Sequence, residues 1–174
     1  MAETIRDPRE EYAINRNKFA QLLLAGLVST AIITVFGYMA DRIAPINIDY
    51  ARIYGGAVTL DTPIVYSSAW WMGMVFHFIA GALLFPILYD WGIDRKLLPN
   101  RAWVKGGLFG FEIWLLFEVI IKPLCGMGWF SRLTPNPALF GTLNLVLLVG
   151  YGLLLESMTR VKLVHRADEI RRAA

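Results

Sequence analysis

The fold class that the sequence predicts is all-α: a polytopic membrane protein, a four-transmembrane-helix bundle with both termini cytoplasmic. Three observations predict it. The first is composition. Across 174 residues the chain is 56% hydrophobic and 18% charged, with a mean hydropathy of +0.49, which lies outside the soluble globular norm. The second is that the apolar residues gather in four runs, at about 19–40, 68–90, 104–121 and 139–155. Roughly 20 such residues carry a helix across the hydrocarbon core. The third is the placement of positive charge. Arg6, Arg9, Arg16 and Lys18 precede the first run; Arg95, Lys96, Arg101 and Lys105 surround the middle connection; Arg160, Lys162, Arg166, Arg171 and Arg172 follow the last. Only Arg42, Arg52, Lys122 and Arg132 fall on the other side. Lys/Arg-rich flanks stay in the cytoplasm, so both ends belong there, and an even number of spans is required. Trp70, Trp71, Trp91, Trp103 and Trp129 fall at span ends, as an aromatic belt predicts, and Trp114 alone lies mid-span.

In chain order, residues 1–18 are a polar cytoplasmic segment without the apolar core and cleavage site of a signal peptide. Glu10, Glu11 and Arg16 can start an interfacial helix, and disorder of the first few residues is an equal alternative. Residues 19–157 form the transmembrane domain, and residues 158–174 a basic cytoplasmic tail. In the first span Gly26, Thr30 and Thr34 make a stripe of small residues suited to helix packing. The hydroxyls can bond back to their own helix. Residues 41–67, marked by Pro45, Gly55, Gly56 and Pro63, exceed an ordinary helix connection and read as a structured cap or a functional loop. Within them, Ile46 to Tyr54 is expected to be a short amphipathic helix lying on the surface.

The second span carries Gly73, His77 and Gly81 on one stripe at four-residue spacing. Pro86 removes a helical N–H and predicts a kink near the cytoplasmic end. The third span opens with Gly106 and Gly110, and Pro123 ends it. A compact loop from Cys125 to Pro137 leads into the fourth span.

Ionisable groups at this depth are costly and ordinarily face other helices, a cavity or a ligand. Counting at ~1.5 Å per residue puts His77 about 3 Å, Glu118 about 7 Å and Asn144 about 5 Å outward of their span centres. His77, Glu118, Asn144 and Lys122 are therefore the candidate buried polar cluster. In one reading His77 is a ligand or proton acceptor and Glu118 its partner. In the other, Glu118 pairs with Lys122, four residues on in the favourable order, while Lys122 snorkels to the surface and His77 bonds a backbone carbonyl. Glu156 reads as an interface residue. Trp129, Arg132 and Asn136 form a candidate docking loop. There Arg132 and Asn136 tie down the backbone and Trp129 and Phe130 rest in the interface.

The net charge of +3 does not point to nucleic acid, because no basic and aromatic interleaved patch lies outside the apolar runs. The single cysteine, Cys125, precludes an intramolecular disulfide and reads as a small apolar residue near a helix end. Bis-histidine haem needs two histidines in the membrane, and the second, His165, lies in the tail. Met72, Met74 and Met127 leave a His/Met pair open, though methionines of this kind more often fill gaps. Two histidines in all give no zinc site, and no catalytic residue set or phosphate loop is present. No cofactor or metal is indicated.

Several stretches in order are similar to a family of small bacterial four-span membrane proteins of unknown function. AGLVSTAIITVFGYMADR resembles the family's first span, and INIDYARIYG its following loop. In WWMGMVFHFIAGALLF the matched positions are Gly73, His77, Phe78 and Gly81. In KPLCGMGWFSRLTPNP they are Pro123, Gly126, Gly128, Arg132, Pro135, Asn136 and Pro137. The resemblance covers most of residues 20–155 and implies the bacterial cytoplasmic membrane. The family often has a second histidine in the last span; here Leu148 stands in the equivalent place, with Asn144 a turn away. That departure weakens a two-histidine site.

Three functions follow as expectations. The first is an accessory or scaffold subunit of a larger membrane complex, without evident catalytic machinery. The partners are then the lipid bilayer and either other membrane subunits or further copies of the chain. The second is a small-solute, metal-ion or proton carrier or channel using His77 and Glu118. The third is a membrane redox protein binding haem or quinone.

Overall fold

Helices account for all the regular secondary structure of the described residues, which in the computed structural model are 8–43, 48–60, 63–92 and 101–173. The long helix α1 runs Pro8–Ile43, and α2 is the short helix Tyr50–Thr59. The helix α3 spans Ser68–Gly92, and α4 spans 102–124. A 3-10 turn, Trp129–Ser131, precedes the last helix, α5, Pro137–Ala173. Three segments are long and apolar enough to cross a membrane: Asn17–Ile43, Ser68–Gly92 and Pro137–Arg160, with mean hydropathies of 2.1, 1.9 and 2.0. They suggest a membrane protein in contact with the bilayer. Their exposed faces agree with this, carrying Leu24, Val35 and Phe36 on α1, Val75 and Ile79 on α3, and Val146 on α5. The stretch expected as the third span lies in α4, which is set apart by Lys105, Glu112, Glu118 and Lys122.

The ends of the elements differ from expectation. The first helix begins at Pro8, ahead of the apolar run, while residues 1–7 lie outside the described part. The last continues without a break through the basic tail to Ala173. Most of the middle connection, with Arg95 and Lys96, lies outside the described residues (93–100), as does Pro45 with its neighbours at 44–47.

The expected surface helix over Ile46 to Tyr54 is corrected. The helix is Tyr50–Thr59, and it packs into the bundle with Tyr50, Ala51, Ile53, Gly55 and Gly56 buried. Two features draw it in. Its N-cap, Asp49, accepts from Arg52 N at 3.2 Å, Tyr38 OH at 3.2 Å and Trp70 Nε1 at 2.8 Å. That use of Trp70 also takes it out of the expected aromatic belt and buries it. Glycine meets glycine on the other side: a methyl group on Gly73 of α3 would collide with the Ala51 carbonyl and the Gly55 amide of α2. Gly81, two turns on, meets Thr30 of α1. The Gly73–His77–Gly81 stripe thus serves two neighbours, with the histidine between them. Gly106 and Gly110 of α4 lie equally close to Gly152 and Leu148 of α5.

Both middle helices contain a π turn, at Ala80–Leu84 in α3 and Phe117–Ile121 in α4. In the first, Phe85 N–H donates to Ala80 O, and in the second Lys122 N–H donates to Phe117 O, five residues back in each case. A proline follows at the next position, Pro86 and Pro123. Proline has no N–H to give to the preceding turn, and widening that turn is one way a helix absorbs the loss. Ahead of Pro86, where a kink is expected, the helix shows this local change of register. Beyond Pro123 the helix stops at Leu124.

Candidate functional site

Two buried polar sets occupy the interior, and the four residues of the expected cluster divide between them. His77 and Asn144 belong to the first, Glu118 and Lys122 to the second.

The first set begins with α1. Thr30 Oγ1 donates to Gly26 O and Thr34 Oγ1 lies within hydrogen-bond reach of Thr30 O, each at 2.7 Å. His77 Nε2 lies 2.7 Å from Thr34 Oγ1. A hydroxyl has one hydrogen to give: if Thr34 donates it to Thr30 O, the proton of this contact is the Nε2–H of His77, and if Thr34 donates it to Nε2, the ring proton sits on Nδ1. No partner reaches Nδ1 among the described residues, although His77 is only 4% exposed. The ring of Tyr50 stacks on the imidazole at 4.8 Å with 4° between planes, and Tyr54 closes another side at 5.4 Å. Tyr50 OH donates to Asn144 Oδ1 at 3.3 Å, and Asn144 Nδ2 is a buried donor without a partner among the described residues. Burial raises the pKa of both tyrosines, which keeps their hydroxyls protonated as donors.

The second set is an ion pair with no exposure on either side chain. Lys122 Nζ donates to Glu118 Oε1 and, at 2.8 Å, to Ser131 Oγ. Ser131 Oγ donates to Glu118 Oε2 at 2.9 Å. The ammonium also lies 4.4 Å from the centre of the Phe140 ring, within reach of a cation–π attraction. Lys122 does not snorkel; Ser131 enters from the loop to complete its hydrogen bonding inside the protein. Both carboxylate oxygens of Glu118 are engaged in this triad, and His77 Nε2 is engaged by Thr34. Packing links the two sets: Tyr54 touches both His77 and Phe117, the residue before Glu118.

The loop that delivers Ser131 adopts an uncommon conformation. Phe130 and Ser131 both have positive φ, 53° and 58°, a region costing of order 1–3 kcal/mol per non-glycine residue. Ser131 is fully buried, whereas Trp129, Phe130 and Leu133 around it are 57%, 50% and 68% exposed. Of the expected docking residues, Trp129 is exposed, and Asn136 caps α5 by accepting from Leu139 N at 3.4 Å. Arg132 is exposed; the tie to the interior is made by Ser131 in its place. Cys125 closes the approach to α2, its thiol donating to Ile53 O at 2.9 Å, and burial pushes its pKa up to about 11.

A second buried acid is Glu156, expected in the interface, which is 6% exposed and paired within the protein. Tyr89 OH donates to its Oε2, and Arg160 Nε lies 3.3 Å from its Oε1. Thr34, Tyr50 and Ser131 were the partners that sequence reasoning missed. For Tyr50 a signal was present: Asp49 just before it is a residue type that caps a helix start. Ser131 had no comparable signal, since nothing in its neighbours announces a buried hydroxyl.

Among the described residues no group of three or more His, Cys, Asp or Glu is placed to hold a metal ion. The model of a protein family, described as Family of unknown function (DUF6789), matches residues 17–168. The chain belongs to this family. The DUF6789 segment takes in both polar sets, the loop and all of α2 to α4. Neither curated proteins nor solved structures give a match to the chain.

Proposed function

We propose that this chain is a four-span protein of the bacterial cytoplasmic membrane, with both termini cytoplasmic, serving as an accessory subunit of a larger membrane assembly. The loop from Cys125 to Pro137 is its docking surface on the opposite side. One observation carries the reading: Trp129, Phe130 and Leu133 are held exposed by a backbone in an unfavourable conformation, pinned from within by Ser131 on the Glu118–Lys122 pair. A loop serving only as a connection has no need of such fixing, whereas an apolar surface set in one conformation before binding loses less entropy on association. In this topology α4 is the third span, and its charges Glu118 and Lys122 neutralise each other along the helix. Domain limits follow as 1–18, 19–157 and 158–174.

The test is extraction from native membranes in mild detergent, then a native gel with mass spectrometry of the band. Co-migration with a large complex is expected. Trp129→Ala with Leu133→Ala is expected to release the chain from that complex while its melting temperature is unchanged. Migration of the native protein alone, or as a small homo-oligomer, would overturn the accessory role.

A further inference from the structure

We propose that Glu112 marks a docking face on α4 for a membrane helix of a different protein, one that carries a lysine or arginine at mid-bilayer depth; this rests on the four-span topology above, which puts α4 inside the bilayer. The level of Glu112 follows from helix packing. Gly110 of α4 lies so close to α5 that a methyl group on it would meet the Leu148 carbonyl at 2.3 Å. Leu148 is at the middle of the apolar segment Pro137–Arg160. Glu112, two residues along from Gly110, is then about 3 Å from the bilayer centre. Hydrocarbon extends roughly 15 Å from there to either surface, too far for a glutamate side chain to reach across.

The carboxyl also turns away from the bundle. Gly106 and Gly110 face α5, Phe109 packs edge-on against Tyr89 of α3 at 5.1 Å, and Ile113 is buried. Glu112 itself is exposed, as are Leu108 and Leu115, which share its face one turn to either side. It makes no hydrogen bond or ion pair among the described residues. Glu118 and Glu156, by contrast, are buried and paired. An acid at this depth ordinarily turns inward and finds a partner. One that turns outward without a partner is completed by something outside the chain. A second copy brings no cation to that level: residues 19–41, 68–92 and 137–159 contain neither Lys nor Arg. Lys122 is held by Glu118, and Lys105 lies seven residues, about 10 Å, toward the start of α4. The counter-charge therefore belongs to another protein, whose helix packs along Leu108, Glu112 and Leu115. Charge pairing of this kind fixes both partner and register.

The experiment is photocrosslinking in intact native membranes, from benzoylphenylalanine in place of Leu108 in the full chain, read by mass spectrometry of the joined peptides. The expected product joins α4 to an apolar segment of a different protein that contains a Lys or Arg. Glu112→Gln should abolish that product and leave the melting temperature of the purified protein unchanged; a fall in that temperature would mean a partner inside the chain and overturns the proposal. Exchanging the charges, with Glu112→Lys here and a glutamate in place of the partner's basic residue, should restore the product. A product with a second copy, with a segment lacking Lys and Arg, or with lipid alone overturns the proposal, as does a product that Glu112→Gln leaves unchanged. If the native protein still co-migrates with a large complex in that case, the accessory role stands and only this face is refuted. Rapid labelling of Leu108→Cys by a water-soluble maleimide in membrane fragments, in a Cys125→Ala background, would place α4 in water. That result refutes the four-span topology, and this docking face with it.

Discussion

Lys122 shows how much depends on a single buried charge. Alone in the interior its ammonium would be untenable; with Glu118, Ser131 and the Phe140 ring around it, every strong demand is met. Removing one partner leaves the other charge uncompensated, so Lys122→Met is expected to cost about 3–5 kcal/mol. Glu118→Leu combined with Lys122→Met should recover most of it, because a well-packed apolar pair can replace an ion pair at little cost. Denaturant unfolding of both variants in micelles checks this, and equal stability of the single variant and wild type would show the pair to be solvated. Cys125 offers a different readout. Burial raises its thiol pKa to about 11, so little thiolate exists near neutrality, and the thiolate is the nucleophile. Maleimide labelling of the folded protein should be slow near neutral pH, rise with pH toward that value, and become rapid at neutral pH once the chain is unfolded. Fast labelling of the native protein at neutral pH would mean that the thiol lies open to water.

At the level of elements, the packing is set by where side chains are absent. Gly73 brings α2 against α3, and no larger residue fits there. Gly107, only one residue from the close contact at Gly106, has nothing within 4 Å of the position a methyl would occupy. Gly73→Val is therefore expected to separate α2 from α3 and break the Trp70–Asp49 bond, seen as a shift in tryptophan emission and loss of cooperative melting. Gly107→Ala should stabilise the helix by about 0.4–1 kcal/mol, since it restricts the unfolded chain without a clash. Reversed effects at the two positions would mean that the helices pack by other faces. The glycine stripes were legible in the sequence because four-residue spacing maps directly onto a helix face. The π turns were not, for a proline predicts the loss of a hydrogen bond but not how the preceding turn answers it. The burial of α2 was not legible either, because a ten-residue helix with mixed polarity carries no statement of what covers it.

Taken as a whole, the molecule follows its gross pattern of apolar runs, while the pairing inside it depends on contacts far apart in sequence. His77 meets Thr34 across 43 positions, and Tyr50 meets Asn144 across 94. Local spacing gave the Glu118–Lys122 pair at once, yet it offered His77 a choice of partners that only the assembled helices resolve. The asymmetry of Lys and Arg, thirteen against four, is the ground for the proposal that both termini are cytoplasmic. Reporter fusions at either end are expected to be active as cytoplasmic fluorescent protein and inactive as alkaline phosphatase, with the opposite pattern for a reporter inserted after Leu133. A terminus found outside would leave an odd number of spans. The paired π turns bear finally on which changes of length the chain tolerates. A turn closed five residues back holds one amino acid more than an α-helical turn needs, so α3 and α4 each carry a surplus residue. Deleting one position within 80–84 or 117–121 converts that turn to ordinary helix and leaves the flanking segments close to their present orientation. The same deletion elsewhere in either helix rotates everything beyond it by about 100°. These two turns are where the helices can lose a residue and still face their neighbours.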